Sequence, residues 1–378
     1  DKPGKVIYNK DYGKKNQNEI GQVADISAQE RSNALVNIQE IVNQNHYQRS
    51  EPLILFNGSR PTKLSHNRQL VKLSDMTEWL SLKELNKQVI KEPDWVVQET
   101  PGIAWLGEPM RIGDHTKAIF RRRPRNNMMI VGSSEEIVLG IIGGILMSLI
   151  HCYQPQKARF MIADLSIPDE DNDWTEMTIN FRNAFNSYFP TQIAKRFADP
   201  DCQVIKAETL LNETYEEFER RLKQREENPD QNPDDLGDSL FFVYAVGGLN
   251  RSQNLRPVMG HRSEEPSEDA ERLLKLISQG SELGIHTIFW LEDMKTFLKL
   301  TGDNRSWLTH FDLRVALNMP GDDSRLLLGE VHAEKLPRLR AYFRDDSATA
   351  GLEKFKPYAV PTKEEIGEYC HNFEQRLT

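Results

Sequence analysis

The chain has 378 residues, 38% hydrophobic and 28% charged, with a net charge of −9. Such a length predicts two or three domains and a sizeable core. The acidic balance excludes a protein whose whole surface grips nucleic acid and leaves room only for a local basic patch.

Cys152, Cys202 and Cys370 lie far apart and make no metal-ligand spacing. This usage fits a reducing, cytoplasmic compartment, with Cys152 as a core thiol. No signal peptide or membrane span is legible. A start at Asp1 without methionine is expected of a piece of something longer.

Taken in order, Asp1–Ile20 is polar and reads as a linker with a short strand at Val6-Ile7-Tyr8. Ser27 and Glu30 have capping-box spacing, and Leu35, Ile38, Ile41 and Val42 then share one helix face. Leu53–Phe56 reads as a strand, and Thr77–Val89 as a helix with Trp79, Leu82 and Leu85 inward. Glu92-Pro93-Asp94 marks a boundary. Residues 1–95 therefore read as a small α/β lead-in without recognisable chemistry. Ile103–Leu106 and Lys117–Phe120 are strands, followed by the most basic run, Arg121-Arg122-Arg123-Pro124-Arg125. The run is either a solvated loop paired with surface carboxylates or a phosphate or subunit-edge contact.

The organising stretch is Asn127–Tyr153. Met128–Val131 is an apolar strand ending at Gly132, followed by Ser133-Ser134-Glu135-Glu136 and an apolar helix from Ile137 to Ile150. The helix is about 14 residues long, short of the roughly 18–20 needed to cross a bilayer. Strand, tight turn and buried helix open a nucleotide-binding α/β domain. A phosphate loop, G-x-x-x-x-G-K-[ST], requires glycine, lysine and a hydroxyl at its end. Counted from Gly132, those places hold Ile137, Val138 and Leu139. Glu135 and Glu136 put negative charge where phosphate would sit. Ser133 and Glu136 have capping-box spacing. The expectation is that the protein's own carboxylate occupies the positive helix end. The plainer alternative is a capped helix in an unrelated α/β protein.

Beyond it, Ala158–Ala163 is a strand ending at Asp164, and Met177–Tyr188 a helix. Cys202–Ala207 reads as a strand, Thr209–Arg225 as a charged helix and Glu226–Asp238 as an acidic flexible loop. The apolar strand Ser239–Val246 ends in Gly247-Gly248-Leu249-Asn250, without the carboxylate that holds magnesium in a nucleotide hydrolase. Ser252–Ser267 is a polar loop, Glu268–Glu282 a helix with Leu273, Leu274 and Ile277 inward, and Gly284–Leu291 a strand whose His286 is packed or surface-facing, not a catalytic base. Phe311–Leu317 and Leu339–Phe343 are further strands. Asp322-Asp323-Ser324-Arg325 opens a helix, and Lys363–Leu377 is a terminal helix. Strands alternating with helices predict a mostly parallel sheet with helices on both faces over residues 96–360, then a C-terminal helix over 361–378.

The order Gly284-Ile285-His286, Asp323-Ser324-Arg325 and Ala333-Glu334-Lys335-Leu336 resembles the C-terminal half of FtsK/SpoIIIE-type motor domains of the RecA-like HerA–FtsK class. Pro3–Tyr8 and Ala104–Pro109 look like joints between tandem modules of that class. The resemblance implies a RecA-like P-loop NTPase fold and ring-type assembly. Hydrolysis does not transfer, because the loop lysine and strand-end acid are absent, and Glu292-Asp293 stand where active motors lead to a glutamine-type sensor. The implied function is a catalytically silent ATPase module that scaffolds or regulates a DNA-translocating motor, in DNA processing or phage defence. The alternatives are a protein-interaction module of a secretion-type tandem ATPase, or an active NTPase with an atypical loop. ATP and magnesium are then expected only in an active neighbouring module. The implied partners are that module, ring subunits and duplex DNA. Candidate DNA or subunit contacts are Arg121, Arg122, Arg123, Arg125, Arg251 and Arg325, with Arg256 beside them. Arg325 has a competing reading, an ion pair with Asp322.

Overall fold

The computed structural model describes residues 4–9, 18–47, 60–91, 100–165, 174–195, 205–260, 264–348 and 351–377. The expected strand at Leu53–Phe56 and the Glu92-Pro93-Asp94 boundary lie outside the described residues. The chain forms two compact units, Asp1–Phe56 and Asn57–Thr378. Among the described residues, no helix is long and apolar enough to cross a membrane.

In the first unit, β1 (Lys5–Asn9) pairs antiparallel with β2 (Asn18–Gln22), followed by α1 (Ala28–Gln44). The capping box forms as the spacing predicts: Ser27 N–H donates to Glu30 Oε2 at 2.9 Å, and Glu30 N–H donates to Ser27 Oγ at 3.2 Å. On the apolar face of α1, Leu35, Ile38 and Ile41 are exposed.

The second unit opens with α2 (Arg68–Ser74) and α3 (Leu82–Leu85), then β3 (Gly102–Pro109), β4 (Thr116–Phe120), β5 (Met128–Val131) and α4 (Glu135–Leu149). There follow β6 (Ala158–Asp164), α5 (Trp174–Phe185), β7 (Thr191–Lys195), β8 (Ile205–Lys206), α6 (Ala207–Glu227) and β9 (Ser239–Gly247). A two-stranded ribbon, β10 (Val258–Met259) and β11 (Glu264–Glu265), precedes α7 (Glu268–Gln279), β12 (Ile285–Leu291) and α8 (Met294–Leu300). The chain ends with β13 (Leu313–Ala316), α9 (Gly321–Leu328), β14 (Ala341–Asp345), β15 (Glu353–Pro357) and α10 (Lys363–Gln375).

One 11-stranded sheet carries the unit, in the order β4-β3-β15-β14-β13-β5-β12-β9-β6-β7-β8. From β13 to β8 the strands are parallel, and β14, β15, β3 and β4 extend the sheet antiparallel. β5 lies in the parallel part, and its side chains divide between two cores. Met128 and Ile130 join the core under α4, α5 and α10, while Met129 and Val131 join the core under α6 to α9. Burial on both faces explains why this strand reads as an unbroken apolar run. After β5 the chain crosses to β6, three places away, while β13 lies on the other side. The carboxyl end of β5 is thus a topological switch point, where open α/β sheets present their sites.

Several elements depart from expectation. The helix foreseen from Thr77 begins at Leu82, because Ser81 and Glu84 form a capping box there, and it continues into one π-helical turn at Asn86–Ile90. α2, α8, β7 and β15 were not legible as elements. The terminal helix packs on α5 and the turn that follows it: Tyr188 donates to Glu374 at 2.9 Å, and Phe185 and Phe189 pack against Phe373. His286 and Cys152 lie where expected, both buried. Burial pushes the Cys152 thiol up to about 12, which keeps it inert.

The segment read as a flexible acidic loop is anchored at its end. Leu236 is buried, and Arg221, fully buried on α6, donates to Glu217 at 2.6 Å and to the carbonyls of Asp238 and Leu283, each at 2.9 Å. Arg159 joins the network through Glu217 and Asp238, each at 2.8 Å. Burial alone would raise the Glu217 carboxyl, but hydrogen bonds and charge from Arg220 and Arg221 outweigh it and hold the group at about 2. Glu217→Gln keeps the shape and removes the charge. It is expected to cost about 2 kcal/mol in urea unfolding. A loss below a few tenths would show that the network contributes nothing.

Candidate nucleotide-loop site

β5 passes into α4 through only Gly132, Ser133 and Ser134. Gly132 has φ +152°, and a Cβ there would stand 2.4 Å from Leu317 Cβ, so only glycine fits. Its N–H donates to Leu291 O at 3.0 Å, and Leu317 N–H donates to Val131 O at 2.9 Å, pinning the turn between β12 and the end of β13. Trp290 Nε1 donates to Gly132 O at 2.9 Å.

The expected capping box of Ser133 with Glu136 does not form. Ser134 is the N-cap and makes no side-chain cap bond, while Ser133 lies one residue upstream and is exposed. The spacing misled because α4 starts one residue later than the motif assumes. Ile137, Val138 and Leu139 are already inside the helix and buried.

What reaches the helix end is a cation of this chain. Arg251, in the turn after β9, is only 10% exposed at its side chain. It donates to Glu135 at 3.2 Å and to Glu292 at 2.7 Å, and lies 5.6 Å from the centroid of the Trp290 ring. Gly247, at φ +63°, makes room for it: a Cβ there would meet Arg251 Nη1 at 3.0 Å. One guanidinium therefore links the start of α4 to the carboxyl ends of β9 and β12. Glu136 is paired separately, with Arg338 at 3.5 Å. At the end of β6, the buried Asp164 pairs with Lys195.

The other sequence candidates lie elsewhere. Arg121 to Arg125 precede β5 and so lie at the amino ends of the parallel strands, opposite the loop. Arg122 donates to Gly237 O at 2.7 Å, and Arg125 pairs with Asp312 at 2.7 Å and donates to Thr309 O at 2.5 Å. Arg251, grouped with them on sequence, is brought instead to the loop. Arg325 is 66% exposed and reaches the still more exposed Asp322 at 3.5 Å.

The motif stations have structural explanations. Gly284, at φ +76°, lies under the Arg122 guanidinium. His286 Nδ1 is 2.9 Å from Asn126 O. Ser324 Oγ donates to Glu330 O at 2.5 Å and accepts from Ala333 N–H at 3.1 Å, joining the Asp323-Ser324-Arg325 helix to Ala333-Glu334-Lys335-Leu336. Sequence reasoning missed Trp290 and the pairing of Glu292 with Arg251. The available signal was a carboxylate at the end of an apolar strand, but nothing in the order of residues pairs β12 with the turn after β9.

This strand order, with a strand–turn–helix at its switch point, is the RecA-like P-loop ATPase fold. Solved structures similar to this chain include the cytoplasmic domain of the Thermomonospora curvata type VII secretion ATPase EccC. It matches with a TM-score of 0.52 and 15% identity over 83% of this chain and 34% of that one. EssC (ATPases 2 and 3) from Geobacillus thermodenitrificans matches with a TM-score of 0.50 and 13% identity over 74% of this chain and 49% of that one. The chain thus spans about a third and about half of the length of these two relatives. No family model matches the sequence, and no curated protein matches it.

Proposed function

We propose that this chain is a catalytically silent module of an FtsK/HerA-class ATPase assembly, and that it braces or regulates an active neighbour instead of hydrolysing ATP. The observation that carries this reading is Arg251, held by Glu135 and Glu292 across the place where a nucleotide and its metal would join α4 to the strand ends. The short turn supports it. A phosphate cradle curls several backbone N–H groups around the anion, and three residues between β5 and α4 leave little chain for that. The carboxylates of Glu135 and Glu292 stand beside this guanidinium and disfavour the approach of a triphosphate. In this reading ATP and magnesium belong to the neighbouring module.

The test is turnover together with melting. The isolated chain is expected to release no phosphate above buffer and to show no shift of its melting temperature in millimolar Mg-ATP. A site binding at a hundredth of the ligand concentration would add about 2.7 kcal/mol. Val138→Lys alone is expected to restore neither. Arg251→Ala is expected to cost roughly 2 kcal/mol by removing the guanidinium that joins Glu135 to Glu292. Turnover that disappears on substitution of Gly132 or Ser134 would establish the active-NTPase alternative.

The second reading, a protein-interaction module of a secretion-type tandem ATPase, draws support from a groove of mixed apolar and acidic lining beside the start of α4. Duplex DNA has less support, because Arg122 and Arg125 are engaged in contacts within the chain. A salt-dependent shift of duplex DNA, lost when Arg121, Arg122 and Arg123 become alanine, would reinstate it.

A further inference from the structure

Beside the start of α4 lies a groove of about 490 Å³, bounded by α4, α5 and the segment from Pro357 to Glu364. Its volume falls in the range of sites that take small ligands or a few side chains. Among the described residues the lining includes apolar Ile137, Met177 and Leu339, with carboxylates from Glu136, Glu176 and Glu364 and one amine, Lys363. All three carboxylate residues are exposed. The carboxylates outnumber the amine, so the rim disfavours a nucleotide or DNA and favours a cation.

The chain itself shows a cation on this rim. Arg338 reaches Glu136 at 3.5 Å while 83% exposed. A surface pair of that geometry is weak and screened by salt, so another guanidinium can replace it.

We propose that this groove docks an extended, arginine- or lysine-bearing apolar segment of a partner protein. The partner's leucine-like side chain enters between Ile137, Met177 and Leu339, and its cations settle on Glu136, Glu176 and Glu364. Apolar burial supplies affinity, and the carboxylates select the partner's sign. The proposal names a partner surface for the bracing role above, but it depends on the groove's own chemistry, whether or not the loop binds nucleotide.

The probe is a short fluorescein-labelled peptide carrying leucine and arginine in a glycine–serine background, followed by anisotropy at low salt. The whole chain is expected to bind it, and the triple variant Glu136→Gln, Glu176→Gln, Glu364→Gln to bind it roughly tenfold or more weakly. A charge-matched triple on α6, across the sheet, Glu216→Gln, Glu219→Gln, Glu226→Gln, is expected to bind like the parent. This control separates the groove from the general attraction of an acidic protein. Thermal melts check that both triples fold.

Equal weakening by the two triples, or no binding at low salt, would overturn the proposal. So would equal binding of a glutamate-for-arginine peptide. Displacement of the peptide by Mg-ATP or duplex DNA would assign the groove to that ligand, and a self-association lost in the groove triple would assign it to a second copy. Either result would likewise overturn it. Mg-ATP turnover without peptide displacement would count against the silent-loop reading and leave the groove proposal standing.

Discussion

Gly140→Val is expected to lower the unfolding free energy by at least about 4 kcal/mol, and in practice to prevent accumulation of folded protein. Gly140 lies in α4, the helix that the loop opens. A Cβ there would stand 2.1 Å from the carbonyl oxygen of Tyr358, backbone against backbone. Gly143 and Gly144 meet the same segment: their Cβ atoms would come within 2.4 Å of Pro361 and 2.8 Å of the Tyr358 ring. No rotamer change relieves such overlaps, so the segment leading to α10 must lift off the helix. Tyr358 is buried and holds Asn67 at 3.0 Å and His115 at 2.7 Å, so lifting it also breaks a polar cluster. Gly367→Ala in α10 is the control. A Cβ there meets nothing within 4 Å. Alanine is expected to leave the fold intact and to raise stability by up to about 1 kcal/mol through helix propensity. Urea unfolding of both variants checks the pair, and similar stabilities would refute the packing argument.

The protein is expected to lose several kcal/mol of stability between about pH 6.5 and pH 4, because the buried His151 and His286 and the half-buried His115 are neutral in the native state. Burial pushes His286 to about 4, and nearby Arg122 and Arg221 push in the same direction. Burial pushes His151 to about 3, with Arg376 adding repulsion, and burial holds His115 at about 4. The folded values lie below the unfolded one, so the unfolded chain binds more protons in this window and stability falls as pH falls. Each tenfold loss of proton affinity on folding corresponds to roughly 1.4 kcal/mol. Asp312, which is buried, and the half-buried Asp323 are both raised by burial and act in the opposite sense, so they offset part of this loss. His151 isolates the effect. It packs beside Tyr369 and Phe373, and neither ring nitrogen has a hydrogen-bond partner among the described residues. His151→Phe is expected to flatten the pH dependence of the melting temperature and to gain most near pH 5. An unchanged slope would mean that His151 carries none of the acid sensitivity.

Local chemistry was legible wherever an element's own residues decide it. The apolar run Met128–Val131, the missing lysine at Val138, the capping box at Ser27 and the bare end of β9 all follow from short-range periodicity and composition. The α/β alternation likewise announced the fold. The capping box at Ser133 failed for a local reason: a one-residue shift in the start of α4 puts Ser134 at the cap. β7 and β15 were missed because short strands in long sheets are stabilised by neighbours, not by their own pattern.

Residue order alone determined an α/β chain with a strand–turn–helix at its centre, with no lysine from Gly132 to Ile150 and no carboxylate in Gly247–Asn250. Tertiary structure alone decided what stands at that centre, because Glu135, Arg251 and Glu292 are distant in the chain and meet only where α4 and the ends of parallel β9 and β12 converge. It also separated Arg251 from the Arg121–Arg125 run, since strand direction puts residues before β5 and residues after β9 at opposite ends of the sheet.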